Sequence, residues 1–178
     1  MIARTHNVLF LCAGNAGQSQ IAAVLLNRRG RGRFKGFSAG SAPADRPNPY
    51  AHELLETQGL ATPDLRSTSW DEFARPSAPK MDFVITVCDR AAASGWPECP
   101  GNPVTAHWSI PDPNAVKGSH AERRHAFRAA YQSLDRMIAQ FVGLPPEELG
   151  RIRRTRWVEE FARARNERAP APRTMSAL

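Results

Sequence analysis

An uninterrupted apolar run near the start of the chain constrains the fold more than any other feature. Residues 8–11 read Val-Leu-Phe-Leu and lead directly into Cys12; small residues fill most of positions 13–17, and apolar residues recur at helical spacing from Ile21. A run of this kind is typical of a strand buried on both faces of a parallel sheet. The sequence therefore predicts a strand, a glycine-containing loop and a helix in succession.

The rest of the chain continues this alternation. The pattern predicts strands over residues 33–39, 82–87 and 103–108, helices over 50–58, 119–142 and 147–165, and a helical turn over 69–73 that Ser69 caps. Alternating strands and helices indicate an α/β fold, a three-layer parallel four-stranded sheet flanked by helices. We expect one domain over residues 1–165 and a disordered basic tail over 166–178.

Composition and charge exclude several classes of protein. No apolar stretch is long enough for a membrane span, and the N-terminus lacks the layout of a signal peptide, so we expect a cytoplasmic protein. Residues 150–178 carry eight arginines and three glutamates, which account for most of the net charge of +7. This basic segment has no nucleic-acid recognition motif, so we expect no nucleic-acid partner. We also expect a monomer.

The loop at residues 12–19 has the layout of an anion cradle. Its members are Cys12, Ala13, Gly14, Asn15, Ala16, Gly17, Gln18 and Ser19. Small residues let successive backbone N–H groups point inward, and the following helix adds its positive end. We expect this setting to lower the pKa of Cys12, with Ser19 hydrogen-bonded to its thiolate. The alternative is a buried strand-end cysteine beside ordinary turn glycines.

Several ordered blocks of the sequence resemble one known family. Residues 8–12 with Gly14, Asn15 and Ser19 are similar to the start of the arsenate reductases of the low-molecular-weight phosphatase fold. The similarity continues, in order, through residues 38–41, 48–51, 66–73, 81–89, 105–108 and 111–113. It covers about residues 7–160, and it implies the low-molecular-weight phosphatase-like sheet.

The resemblance also implies a division of roles. Cys12 would attack an oxyanion, arsenate or phosphate, and Asp112 would protonate the departing oxygen. Cys88 would attack the arsenic adduct and release arsenite, after which a third cysteine would present the disulfide to thioredoxin or a similar reductant. Asn15 and Ser19 would organise the loop. The family implies no bound cofactor, and the histidines show no metal-ligand spacing with the cysteines.

The loop departs from the family pattern at positions that carry charge. Gln18 stands where the family has an arginine, and Ala16 stands where it has a serine. Losing a charged donor predicts an impaired rate, by at least about 10²–10³-fold. Ala23 replaces a glutamate that helps some relatives hold potassium, so we expect no bound metal. Compensation by Arg90, just after Cys88, is a further hypothesis.

The third cysteine also departs from the pattern. Trp96 occupies its usual position and Cys99 follows three residues later, as if the two residue types were exchanged. Residues 91–95 read Ala-Ala-Ala-Ser-Gly, and we expect a flexible loop there that lets Cys99 approach Cys88. The alternative is that Cys99 is an inert thiol.

Three functions compete. The retained Cys12, Cys88 and Asp112 favour arsenate reductase, an oxidoreductase of arsenic detoxification. Gln18 and Ala16 favour a degenerate oxyanion-binding or regulatory module of the same fold. A protein tyrosine phosphatase is disfavoured because residues after the Asp-Pro turn are Asn114 and Ala115, where an aromatic side chain would be expected.

Overall fold

A four-stranded parallel sheet forms the centre of the molecule. The computed structural model describes residues 4–60, 62, 65–145 and 147–149. Its strands are β1 (His6–Cys12), β2 (Phe34–Gly40), β3 (Phe83–Thr86) and β4 (Val104–His107). They lie in the order β2-β1-β3-β4, and every neighbouring pair is parallel. The predicted α/β class and the four parallel strands are confirmed.

Five α-helices are found among the described residues. They are α1 (Gln18–Gly30), α2 (Pro49–Thr57), α3 (Asp71–Ala74), α4 (Asp89–Ala93) and α5 (His120–Val142), and a 3₁₀ helix covers Pro113–Ala115. The expectation of a flexible loop over residues 91–95 is wrong for residues 91–93. These three alanines belong to α4, because alanine favours helix. Residues 147–149 are helical. The remainder of the predicted last helix, the domain end at 165 and the tail lie outside the described residues.

The two faces of the sheet are packed differently. Side chains alternate along β1, so Val8, Phe10 and Cys12 point into a large apolar cluster, whereas Leu9 and Leu11 point into a small one. The large cluster includes the buried sides of α1 and α5; the small one is covered by Phe37, Trp70 and Phe73. Burial on both faces is the physical reason for the unbroken apolar run in β1.

The carboxyl ends of β1 and β3 lie side by side. Leu11 pairs with Thr86, and the Val87 N–H donates to the Leu11 carbonyl at 2.8 Å. Cys12 and Cys88 therefore leave adjacent strands at the same edge of the sheet, where open α/β sheets bind ligands. Among the described helices, none has the length and apolar character needed to cross a membrane.

Candidate active site

The loop after β1 turns its backbone amides inward. The carbonyls of Ala13, Gly14 and Ala16 accept hydrogen bonds at 2.7–2.9 Å from N–H groups of residues 42–48 that lie outside the loop. In a trans peptide the N–H points opposite to the carbonyl, so the N–H groups of Gly14, Asn15 and Gly17 face the interior. The backbone amides of Asn15 and Ser19 act to lower the pKa of the Cys12 thiol. This arrangement is compatible with the predicted anion cradle, and oxyanion binding by the loop stays a prediction.

Asn15 holds the shape of this loop. Its backbone is left-handed, with φ of 44°, and its side chain is fully buried. The Asn15 Oδ1 accepts from the Thr68 N–H at 2.7 Å, and its Nδ2 donates to Ser19 Oγ at 2.8 Å. Ser19 Oγ lies 2.9 Å from Cys12 Sγ. A thiolate carries no proton, so Ser19 is the donor when Cys12 is ionised.

Gly40 is a requirement of the cradle to which the sequence analysis gave no role. A Cβ on Gly40 would lie 2.6 Å from the Ala13 carbonyl oxygen and 2.8 Å from the Asn15 nitrogen. Only a residue without a side chain lets β2 approach the loop this closely. The signal in the sequence is a glycine at the carboxyl end of β2.

The pKa of Cys12 runs against the sequence expectation. Burial raises the pKa of this thiol, and the neighbouring Cys88 acts in the same direction. The Ser19 hydroxyl and the backbone amides of Ser19 and Asn15 lower the pKa, but by less than burial raises it. No cation among the described residues contributes to lowering it. The prediction of a lowered pKa is therefore wrong, because the cradle encloses the sulfur without supplying a positive side chain.

Removing the Ser19 hydroxyl should make Cys12 still harder to ionise. In a protein whose only remaining thiol is Cys12, Ser19→Ala is expected to slow alkylation about tenfold at one mildly alkaline pH, the effect of losing a hydrogen bond to a charged group. The rate of iodoacetamide labelling against pH measures this, with the midpoint moving to higher pH. An unchanged profile would show that Ser19 does not donate to the thiolate.

Cys88 lies in the same apolar cluster as Cys12, whereas Cys99 lies on the other face of the sheet. Cys12 and Cys88 are both buried in the large cluster, and Cys88 is close enough to contribute to the raised pKa of Cys12. Cys99 lies in the small cluster on the other face of the sheet, beside Met81. The Met81 N–H donates to the Pro100 carbonyl, which places this segment at the amino end of β3. Cys88 lies seven residue steps beyond Met81 along this extended segment, roughly 23 Å.

Cys99 is also poorly suited to ionise where it lies. Burial raises the pKa of its thiol to about 11. Trp96, at the position of the family's third cysteine, is 38 % exposed. To reach Cys88, Cys99 would need a rearrangement of the intervening segment, including α4. The shuttle role of Cys99 stays a prediction.

Asp112 is held at the start of the 3₁₀ helix by its neighbour Asn114. The Asp112 Oδ1 accepts from the Asn114 backbone N–H and from Asn114 Nδ2, both at 2.9 Å. Asn114 Oδ1 in turn accepts from Asn48 Nδ2 at 2.9 Å, and the Asn48 N–H donates to the Ala16 carbonyl of the cradle. These two asparagines, which the sequence analysis gave no role, tie the carboxylate of Asp112 to the loop.

Gln18 occupies the arginine position but turns toward the Asp112 segment. Its side chain is 1 % exposed, and its Nε2 donates to the carbonyls of Ile110 and Pro111, each at 3.0 Å. Arg90 lies on α4 with an exposed side chain, two residues after Cys88. Compensation by Arg90 for the missing arginine stays a prediction.

A polar network fixes the start of α4 next to Cys88. His107 lies 2.7 Å from Thr86 Oγ1 through Nδ1 and 2.9 Å from Asp89 Oδ1 through Nε2. Ser109 Oγ donates to the same Asp89 oxygen at 3.0 Å. Hydrogen bonds from Ser109 and His107 lower the pKa of Asp89. This network joins β3, β4 and α4, so it stabilises the turn that carries Cys88.

Comparison with known proteins identifies the family. The model of the low molecular weight phosphotyrosine protein phosphatase family matches residues 7–155. An arsenate reductase of Halalkalibacterium halodurans is 28 % identical over 134 residues, which cover 75 % of this chain and 93 % of that protein. The solved arsenate reductase of Archaeoglobus fulgidus superposes with a TM-score of 0.59 at 25 % identity, covering 77 % of this chain and 99 % of the other.

A phosphatase shares the same fold. The tyrosine phosphatase Wzb of Escherichia coli K30, solved in complex with sulphate, gives a TM-score of 0.61 at 24 % identity and covers 78 % of this chain and 97 % of its own. The match of the family model over most of the sequence, with the cradle and the sheet that carries it, shows that the chain belongs to the low molecular weight phosphotyrosine protein phosphatase family.

Proposed function

We propose that this protein reduces arsenate to arsenite with the thiols of Cys12 and Cys88. The observation that carries the proposal is the pair itself. Two buried thiols leave neighbouring strands, and one of them receives the inward amides of an anion cradle. A phosphatase needs only one such thiol, whereas reduction of arsenate needs two thiols to supply two electrons. Relatives named arsenate reductase support this choice.

The first step joins sulfur to arsenic. The Cys12 sulfur forms a bond to the arsenic of arsenate, and one arsenic–oxygen bond breaks. Asp112 gives a proton to the departing hydroxyl, and the thiol proton of Cys12 restores the acid, so the net by-product is one water. Asn114 occupies the Oδ1 of Asp112, which leaves Oδ2 to carry the proton. Inward amides of the cradle stabilise the charge on the arsenate oxygens.

The second step transfers two electrons. The Cys88 sulfur attacks Cys12 Sγ, the sulfur–arsenic bond breaks, and its electron pair stays on arsenic. Arsenic(V) becomes arsenic(III), two thiols become one disulfide, and the proton of Cys88 leaves with arsenite. An external dithiol such as thioredoxin then reduces the disulfide. No cofactor is needed for this sequence.

A second candidate is an oxyanion-binding module without turnover. Two observations favour it: the Gln18 amide lies against carbonyls and supplies no charge to the cradle, and burial raises the pKa of Cys12. Both features slow nucleophilic attack while leaving the backbone amides free to hold an anion.

Thiol counting with arsenate separates the candidates. The reduced native protein, mixed with excess arsenate and no reductant, is expected to lose two thiols for each arsenite released, and Cys12→Ser is expected to lose none. Three retained thiols with bound arsenate and no arsenite would contradict the reductase and support the binding module. Hydrolysis of p-nitrophenyl phosphate with all thiols retained would indicate a phosphatase instead.

A further inference from the structure

We propose that the side chain of Gln18 is a positioning group that anchors the Asp112 segment to the cradle, and that this side chain does not contact the oxyanion. The inference rests on the proposed function in one respect: Asp112 is taken as the proton donor. Gln18 stands where the family has an arginine. With glutamine at this position, the side chain would anchor the Asp112 segment instead of binding the oxyanion.

The donors of the Gln18 amide are fully used. Carbonyl oxygens only accept hydrogen bonds, so the group facing Ile110 and Pro111 is the NH₂ of the amide. Its two protons meet two carbonyl oxygens, each 3.0 Å away. The side chain is 1 % exposed, which leaves it no space to swing toward a ligand without breaking both contacts. An oxyanion in the cradle therefore receives no donor from the side chain of Gln18.

The Asp112 segment depends on such an anchor because of its prolines. Pro111 and Pro113 flank Asp112 and have no N–H to offer, and the carbonyls of residues 110 and 111 need a donor from elsewhere. Gln18 supplies that donor on the near side of Asp112. On the far side, Asn114 connects Asp112 to Asn48. Both anchors lead back to the cradle, so they fix the carboxylate relative to Cys12.

Amide exchange tests the anchor without any substrate. Gln18→Met preserves the length and burial of the side chain and removes both donors. The amides of residues 114–116 donate to the Asp112 carboxylate, the Asp112 carbonyl and the Pro113 carbonyl, and these hydrogen bonds are expected to open about tenfold more often. Gln20→Met is the matched control, since Gln20 is also buried on α1 but donates to the Arg66 carbonyl. Amides of β1 in the same samples show whether the whole fold is loosened.

A double-mutant cycle tests the catalytic consequence. Arsenate turnover of Gln18→Met is expected to fall about tenfold, and the same change in an Asp112→Asn background is expected to cost nothing further, because Gln18 acts through Asp112. Exchange at 114–116 that is unchanged by Gln18→Met, or raised equally by Gln20→Met, would overturn the proposal. Additive losses in the cycle would overturn it as well. A native protein that does not reduce arsenate would remove the proposed function, while the exchange experiment would still decide the anchor.

Discussion

Cys88→Ser is expected to stop the reaction after arsenate has bound to sulfur and before arsenite is released. Cys88 is the thiol that lies with Cys12 in the large apolar cluster at the carboxyl edge of the sheet. Without Cys88, no second sulfur can bond to Cys12 Sγ and displace arsenic with its electron pair. Turnover should therefore fall by on the order of 10⁴ or more, as when one member of a catalytic unit is removed. Single-turnover release of arsenite, measured without reductant, tests this.

Cys99→Ser is the control for that experiment. Cys99 lies on the opposite face of the sheet, and its pKa is raised to about 11, so it is expected to be dispensable for the first disulfide. The Cys99→Ser protein should release one arsenite per molecule at the native rate in a single turnover. Native release by Cys88→Ser, or loss of release in Cys99→Ser, would contradict the pairing of Cys12 with Cys88. A defect of Cys99→Ser confined to multiple turnovers with thioredoxin would reveal the predicted shuttle.

Asn15→Ala should destabilise the protein by about 3 kcal/mol, the sum of a left-handed alanine and two lost buried hydrogen bonds. Asn15 adopts φ of 44° and connects the loop to both Thr68 and Ser19. Thermal or urea unfolding measures the loss, which should also abolish turnover because the amides no longer converge on Cys12. A loss below about 1 kcal/mol would show that the loop holds its shape without this side chain.

Two further substitutions separate the contributions of Asn15. Asn15→Gly tolerates the positive φ and removes only the side-chain contacts. Asn15→Asp keeps an acceptor for the Thr68 N–H and removes the donor to Ser19, while adding a negative charge that raises the pKa of Cys12. We therefore expect Asn15→Asp to be the slower of the two in thiol alkylation. The reverse order in alkylation would contradict the placement of Asn15 beside the sulfur.

Short sequence patterns were sufficient to predict the strands, the loop after β1 and the order of the main elements. The apolar runs before Cys12 and Cys88 predicted buried parallel strands, because a strand covered on both faces needs apolar side chains at every position. Those runs, with the small residues of 13–17, placed the cradle at the carboxyl edge of the sheet. The predicted start of the long helix at Ser119 agrees with α5, whereas the predicted Ser69 cap is displaced: Trp70 is the N-cap residue of α3, and Ser69 Oγ accepts from the Asp71 N–H. Each of these signals lies within one short stretch of chain.

Only the tertiary structure decided which groups Gln18 hydrogen-bonds to and on which face of the sheet Cys99 lies. Gln18 donates to residues 92 and 93 positions away, and no local pattern encodes which carbonyls lie opposite a helix start. In the segment after α4, apolar residues recur at neither helical nor strand spacing. Its sequence therefore does not reveal that the segment returns to the amino end of β3 and places Cys99 on the far face of the sheet. The raised pKa of Cys12 has the same origin: the sequence supplies the hydrogen-bond donors, whereas the depth of burial that outweighs them exists only in the packed fold.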